Sequence, residues 1–179
     1  MKRNLTIFII IIAICMGAGL LVNQLLNGSK QVGSQEGMQT ESIHLKNADG
    51  QTADVFEPKD RVTVLNVWAT WCEPCVRELP ALMELDSDYK QKGVDVITLN
   101  AQKFERVPEH TFEFMEEQQL TLPVFLDSEG EFFDTFNVQG LPTTFIVDAD
   151  QTIVKRIEGE VHYEMIQEII DPLLPSNGD

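Results

Sequence analysis

Val62-Thr63-Val64-Leu65-Asn66-Val67-Trp68-Ala69-Thr70-Trp71-Cys72-Glu73-Pro74-Cys75 is the stretch that decides the fold. Its first seven residues are mostly apolar on both faces, as a strand at the centre of a sheet requires. Beyond it, Val76, Leu79, Leu82, Met83 and Leu85 recur at helical spacing, and Pro80 is expected to kink that helix. The cysteines thus sit where a strand runs into a helix. Unpaired N–H groups and the macrodipole at the helix N-terminus favour a thiolate on Cys72. Cys75, one turn further in, is close enough to form a disulfide with it. As a structural staple, a bridge over so short a loop would remove only ~2 kcal/mol of chain entropy. A zinc site needs four ligands, and the chain has no second Cys-x-x-Cys and no His-x-x-x-His. The spacing reads as a redox dithiol without a metal.

Working outward, residues 43–45 and Val55-Phe56 flank Asn47-Ala48-Asp49-Gly50, a hairpin turn signal. Gly93 opens a strand over 94–99, with Val94, Val96, Ile97 and Leu99 expected to be buried. Pro108 suits the first turn of a helix running to about Gln118, with Phe112 and Met115 inward. Leu122-Pro123-Val124-Phe125-Leu126 reads as a short strand, and Phe132, Phe133 and Phe136 pack a short helix. Residues 144–147 and 152–157 form a hairpin around Asp148-Ala149-Asp150. Residues 162–174 close the domain with Met165, Ile166, Ile169, Ile170 and Leu173 on one face. The alternation gives an α/β fold with a mixed sheet covered on both sides.

The N-terminus reads differently. Lys2 and Arg3 precede an apolar stretch from Leu5 to Val22, and no acidic residue appears before Glu36. Eighteen residues at about 1.5 Å each span ~27 Å, enough to cross a hydrocarbon core. The positive-inside bias leaves residues 1–4 in the cytoplasm and exports the rest. A cleaved signal peptide would have a shorter core, and apolar residues here continue through Leu25 and Leu26. A lipoprotein signal needs a small residue before its cysteine, but Ile14 precedes Cys15, which reads as an apolar filler. We therefore expect an uncleaved transmembrane signal anchor at 5–26, a flexible linker at 27–41, one domain at 42–174 and a tail at 175–179. The linker, rich in Gly, Ser and Gln, would reach ~20 Å. An exported dithiol is driven to the disulfide unless something reduces it, so the location asks for an electron source. The net charge is −16, and without Lys2 and Arg3 only 11 basic residues face 29 acidic ones. Such a surface disfavours nucleic acid and anionic lipid.

Together with Gly140-Leu141-Pro142-Thr143-Thr144, the stretch from Val64 to Cys75 resembles the thioredoxin superfamily. It is most similar to the membrane-tethered TlpA/ResA group of extracytoplasmic thiol-disulfide oxidoreductases, over about residues 41–173. The front hairpin and the extra helix and strand at about 106–126 fit that group's additions. The resemblance implies a thioredoxin-like fold with an N-terminal β-hairpin and a central helix–strand insertion, behind one transmembrane helix. It implies a redox disulfide in which Cys72 attacks and Cys75 resolves. It also implies a cis Leu141–Pro142 bond facing the disulfide, with the Leu141 backbone free to bind an extended substrate strand. On its own, Pro142 reads as an ordinary turn proline.

Thioredoxins carry a buried Asp six residues before the first cysteine, where this chain has Asn66. An amide cannot accept the proton of the inner thiol, so the base must lie elsewhere. Glu78 follows Cys75 by three residues on the same helical face. Spacing alone leaves it as readily a solvated helix residue, whereas the resemblance makes it the catalytic base with a raised pKa. Glu73 places a carboxylate between the sulfurs and opposes the helix dipole, and Pro74 fixes the turn. These features predict a reductant rather than a disulfide donor. Trp71 reads as a platform beside the disulfide, so Trp71, Glu73, Pro74, Leu141 and Pro142 are the expected substrate contacts. Trp68 reads as core, Arg77 as a solvated helix residue or, alternatively, as an offset to the Glu73 charge, and Thr143 and Thr144 as the start of a strand. His44, His110 and His162 read as surface or structural.

The implied activity is reduction of protein disulfides by exchange through a mixed disulfide, with no cofactor. The implied client is apocytochrome c, whose haem-binding cysteines must be thiols before haem attachment. Electrons would come from a CcdA-type transmembrane thiol carrier. The same chemistry on a sporulation or cell-envelope client is an alternative. A copper-binding chaperone module is the alternative from another class, but it would use Cys-x-x-x-Cys with a downstream His. Peroxide reduction lacks its Thr-x-x-Cys, because Ala69 stands three before Cys72.

Overall fold

Strand β3, Val62–Trp68, is buried along its whole length because both its faces are covered. The computed structural model describes Gly17, residues 31–57 and residues 60–175. The chain divides between Gln31 and Val32, and every element named below belongs to the unit Val32–Asp179. The expected membrane span at 5–26 lies outside the described residues except for Gly17. Among the described residues no helix is long and apolar enough to cross a membrane.

Seven strands form one sheet in the order β2-β1-β5-β4-β3-β6-β7. They are β1 His44–Asn47, β2 Thr52–Asp54, β3, β4 Val94–Asn100, β5 Val124–Leu126, β6 Thr143–Val147 and β7 Ile153–Glu158. β3, β4 and β5 are parallel, and every other pairing is antiparallel. The expected front hairpin is β1–β2, turning at Gly50, whose φ of 79° suits glycine. The insertion contributes β5, which lies inside the sheet and joins that hairpin to β4.

The helices are α1 Glu73–Tyr89, α2 His110–Glu117, α3 Glu131–Thr135 and α4 Tyr163–Ile170. α1 continues through Pro80 as one helix. Period-two alternation along β3 separates the two sides of the core. Val62 and Val64 pack with Leu79, Leu82 and Leu85 of α1 and Ile166 and Ile170 of α4. Leu65 and Val67 face Phe132, Phe136 and Phe145 on the other side. There the Phe132 ring stacks on Phe136 at 4.4 Å and meets Phe145 edge-on at 5.8 Å.

Three expected inward residues are placed differently. Phe112 is 42% exposed, and α2 turns Thr111 and Phe114 inward in its place, beside Met115, which packs inward as expected. Thr111 Oγ1 donates to Asn100 Oδ1 at 3.2 Å and Phe114 meets Trp68 at 5.3 Å, so a buried polar anchor sets the helix phase. Met165 is exposed because the buried stripe of α4 runs through Ile166 and Ile170. Ile97 is half-buried. Residues 33–40 lie against the β6–β7 hairpin. Gly37 N–H donates to Ile153 O at 2.8 Å and Thr40 N–H to Gln151 O at 2.9 Å. The Glu36 carboxylate pairs with Lys155 at 3.0 Å.

Replacing Phe132 with Ala should cost about 3–5 kcal/mol in urea denaturation, because a fully buried ring leaves a cavity among three other rings. A loss under 1 kcal/mol would mean that the aromatic cluster does not hold this side of the sheet.

Candidate active site

β3 delivers the chain to Cys72, which caps α1 in an extended conformation (φ −89°, ψ 99°). Pro74 sits in the first turn, where its missing N–H removes no helix bond. Cys72 and Cys75 form a disulfide with their Cα atoms 5.3 Å apart. Cys72 keeps 5% of its surface exposed and Cys75 none, so an incoming sulfur meets Cys72 first. Both lie in an apolar cluster with Trp68, Ala69, Ala101, Val124 and Leu126, against which Leu141 packs. The Leu141–Pro142 peptide is cis, and the Leu141 side chain packs against the cluster that holds both cysteines. Among the described residues no hydrogen bond ends on the Leu141 N–H or C=O, while Pro142 O accepts from Gly159 N–H at 2.9 Å.

One turn beyond Cys75, Glu78 is buried in the interior. Its Oε1 accepts from Asn66 Nδ2 at 2.7 Å and its Oε2 from Val161 N–H at 2.8 Å. Burial is the main influence on its pKa and pushes it up to about 7 from 4.5; the Val161 and Asn66 donors oppose the rise, and the Glu160 charge adds to it. Asn66 also meets Thr144 Oγ1 at 3.0 Å, so the strand-start Thr144 belongs to this network. An amide suits Glu78 in both charge states. Its Nδ2 donates to the carboxylate, and its Oδ1, without a partner among the described residues, is the kind of acceptor a protonated carboxyl needs. A carboxylate at position 66 would instead set two acids against each other.

Arg77 is not simply solvated. Its guanidinium holds Glu73 at 3.1 Å and Glu160 at 2.6 Å and 3.2 Å. The Arg77 hydrogen bond holds the Glu160 carboxyl below its usual range. The Glu73 charge that the sequence sets against a Cys72 thiolate is therefore partly offset. Adjacent links, Arg77–Glu160 and Glu78–Val161, fasten α1 to the segment after β7. His162 is exposed and follows that segment directly.

The turn before Cys72 has its own anchor. The buried Glu105 accepts from Thr70 N–H at 2.7 Å, Thr70 Oγ1 at 2.6 Å and Asn100 Nδ2 at 2.9 Å. Trp71 is 51% exposed, and its indole N–H donates to Phe104 O at 3.1 Å. Sequence reading missed Glu105, Glu160, Val161 and Phe104. Apart from the Asn100 that also bonds Glu105, their partners lie 33 to 83 residues away, so no local spacing announces the site. Among the described residues no cluster of three or more His, Cys, Asp or Glu is arranged to hold a metal.

A disulfide at the N-terminus of the helix after the central strand, with a cis-proline leading into the strand paired beside it, defines a thioredoxin-fold thiol-disulfide oxidoreductase. More particularly, the chain belongs to the Redoxin family, whose sequence pattern matches residues 33–169. Thiol-disulfide oxidoreductase ResA of Bacillus cereus is 31% identical over 177 residues, covering 98% of this chain and 100% of the relative. Among solved structures, StoA from Bacillus subtilis matches with a TM-score of 0.65 and 26% identity, over 72% of this chain and 96% of StoA. The exposed lipoprotein thioredoxin Etrx1 of Streptococcus pneumoniae gives a TM-score of 0.66 at 25% identity, over 74% of this chain and 100% of Etrx1.

The folded chain keeps the Glu78 proton up to about pH 7, whereas the unfolded chain loses it near 4.5. Stability should therefore fall as pH rises through that window, by a total on the order of 3 kcal/mol. Glu78→Gln should flatten this slope and raise the urea midpoint of the oxidised protein at pH 8. An unchanged slope would mean that Glu78 is ionised normally.

Proposed function

We propose that the chain is a membrane-anchored, extracytoplasmic reductase of protein disulfides, with apocytochrome c as its client. The reading rests chiefly on one observation: a Cys72–Cys75 disulfide at the start of the helix after the central strand, with the buried carboxyl of Glu78 one helical turn beyond the inner cysteine. The Cys72 thiolate attacks a client disulfide, forming a mixed disulfide and expelling one client thiolate. Glu78 takes the Cys75 proton, and the Cys75 sulfur attacks Cys72 Sγ. The Cys72–Cys75 bridge forms, and the second client sulfur leaves and is protonated. The two electrons given to the client are restored by a CcdA-type thiol carrier.

Similarity to ResA across nearly the whole chain supports the extracytoplasmic setting, and the apolar run at 5–26 supports the anchor. Glu73, Pro74, Trp71, Leu141 and Pro142 line the approach to Cys72. The free Leu141 backbone groups suit pairing with an extended client strand. The resemblance to the TlpA/ResA group points to the haem-binding cysteines of apocytochrome c, and a strain lacking the gene should lose its c-type cytochromes. Normal cytochrome content would remove that client and leave the chemistry standing.

Cys75→Ser should trap a covalent adduct with an oxidised Cys-x-x-Cys-His peptide, visible as a mass increase under non-reducing conditions, and Cys72→Ser should trap none. Equal trapping by both variants would contradict the division of roles between the cysteines.

A further inference from the structure

Six large apolar side chains are exposed among the described residues, and three of them, Trp71, Phe104 and Val107, belong to the turn before Cys72 and the loop after β4. These two segments are bolted together. The buried Glu105 side chain holds Thr70 through both its N–H and its hydroxyl, and so leaves its neighbours Phe104 and Arg106 facing outward. Trp71 is fixed through its indole N–H to Phe104 O. The Phe104 ring, 46% exposed, rests on Phe133 at 4.8 Å, and Phe133 packs against the cluster that contains both cysteines. Two exposed aromatic rings are thus tied to the turn that carries Cys72 and, through Phe133, to the cluster that holds both cysteines, a preorganised apolar surface rather than a loose loop.

We infer that Phe104 and Trp71 form a subsite for an aromatic or large aliphatic side chain flanking the client's reacting cysteine. The inference rests on the reductase reading above. For exchange, the client sulfur must reach Cys72 Sγ, so the client chain crosses directly over residue 72. Successive Cα atoms are 3.8 Å apart, so client residues one or two places from that cysteine fall within ~7 Å of it. Trp71 is within the same reach of Cys72, and Phe104 is hydrogen-bonded to Trp71. The occupant is an extended segment of the oxidised client, because the Leu141 backbone groups, unpaired among the described residues, belong to a residue packed on the cysteine cluster and are suited to an extended strand.

The test uses the reduced full-length chain and two synthetic pentapeptides, Ser-Phe-Cys-Phe-Ser and Ser-Ser-Cys-Ser-Ser. Each is supplied in varied excess as its mixed disulfide with glutathione, and the Cys72/Cys75 dithiol is the reductant. KM is the half-saturating concentration read from the single-turnover rate at which that dithiol is oxidised. The KM for the phenylalanine peptide should be roughly fivefold lower, the size of one aromatic contact. Phe104→Ser keeps the backbone carbonyl that orients Trp71, and it should bring the two KM values together. Phe104→Leu should keep most of the difference. Equal KM values for the unsubstituted chain, or a preference that survives Phe104→Ser, would overturn the subsite. If the reduced chain acts on neither peptide, the reductase reading fails and the subsite falls with it.

Discussion

A carboxyl group is enclosed in the interior of this protein with no cation acting on it among the described residues, and the hydrogen bonds around it tie together three parts of the site. Glu78 has two donors, the Asn66 amide and the Val161 N–H. They are too few to keep it ionised at its ordinary pKa against desolvation, and enough to fix its orientation. The result is an acid that exchanges its proton near neutrality, on the helix face that also carries Cys75. A thiol that must lose its proton to become a nucleophile needs such a neighbour.

The sheet register makes this possible. Asn66 and Thr144 stand directly opposite each other in the β3–β6 pairing, and their side chains meet. A slip of one residue would turn Asn66 to the opposite face, among the phenylalanines. The same two strands carry the chemistry at their ends: β3 runs out to Cys72, and the cis-proline turn feeds into β6. Burial of β3 on both faces therefore positions the network, the disulfide and the cis-proline together.

The local chemistry was legible because it is written in adjacent residues. Val62 to Trp68 could hardly be anything but an interior strand, and Cys72-Glu73-Pro74-Cys75 at its end marks a dithiol site. The Asp49-Gly50 turn and the Phe132–Phe136 pair were equally direct. Phe112 was misplaced because the phase of α2 is set by Thr111 bonding Asn100, a polar contact that hydrophobic periodicity does not see. Arg77 looked solvated because its main partner, Glu160, lies 83 residues away. Glu105 and Val161 were invisible for the same reason: one acts through a distant turn, the other through a backbone N–H that no side-chain pattern encodes.

The most direct measurement is the titration of Glu78 itself, following its side-chain carboxyl carbon by NMR in uniformly labelled oxidised protein. The burial and donor set described here predict a midpoint near 7. A midpoint near 4.5, the value of a carboxyl in water, would contradict the account by showing that the group is ionised throughout the neutral range.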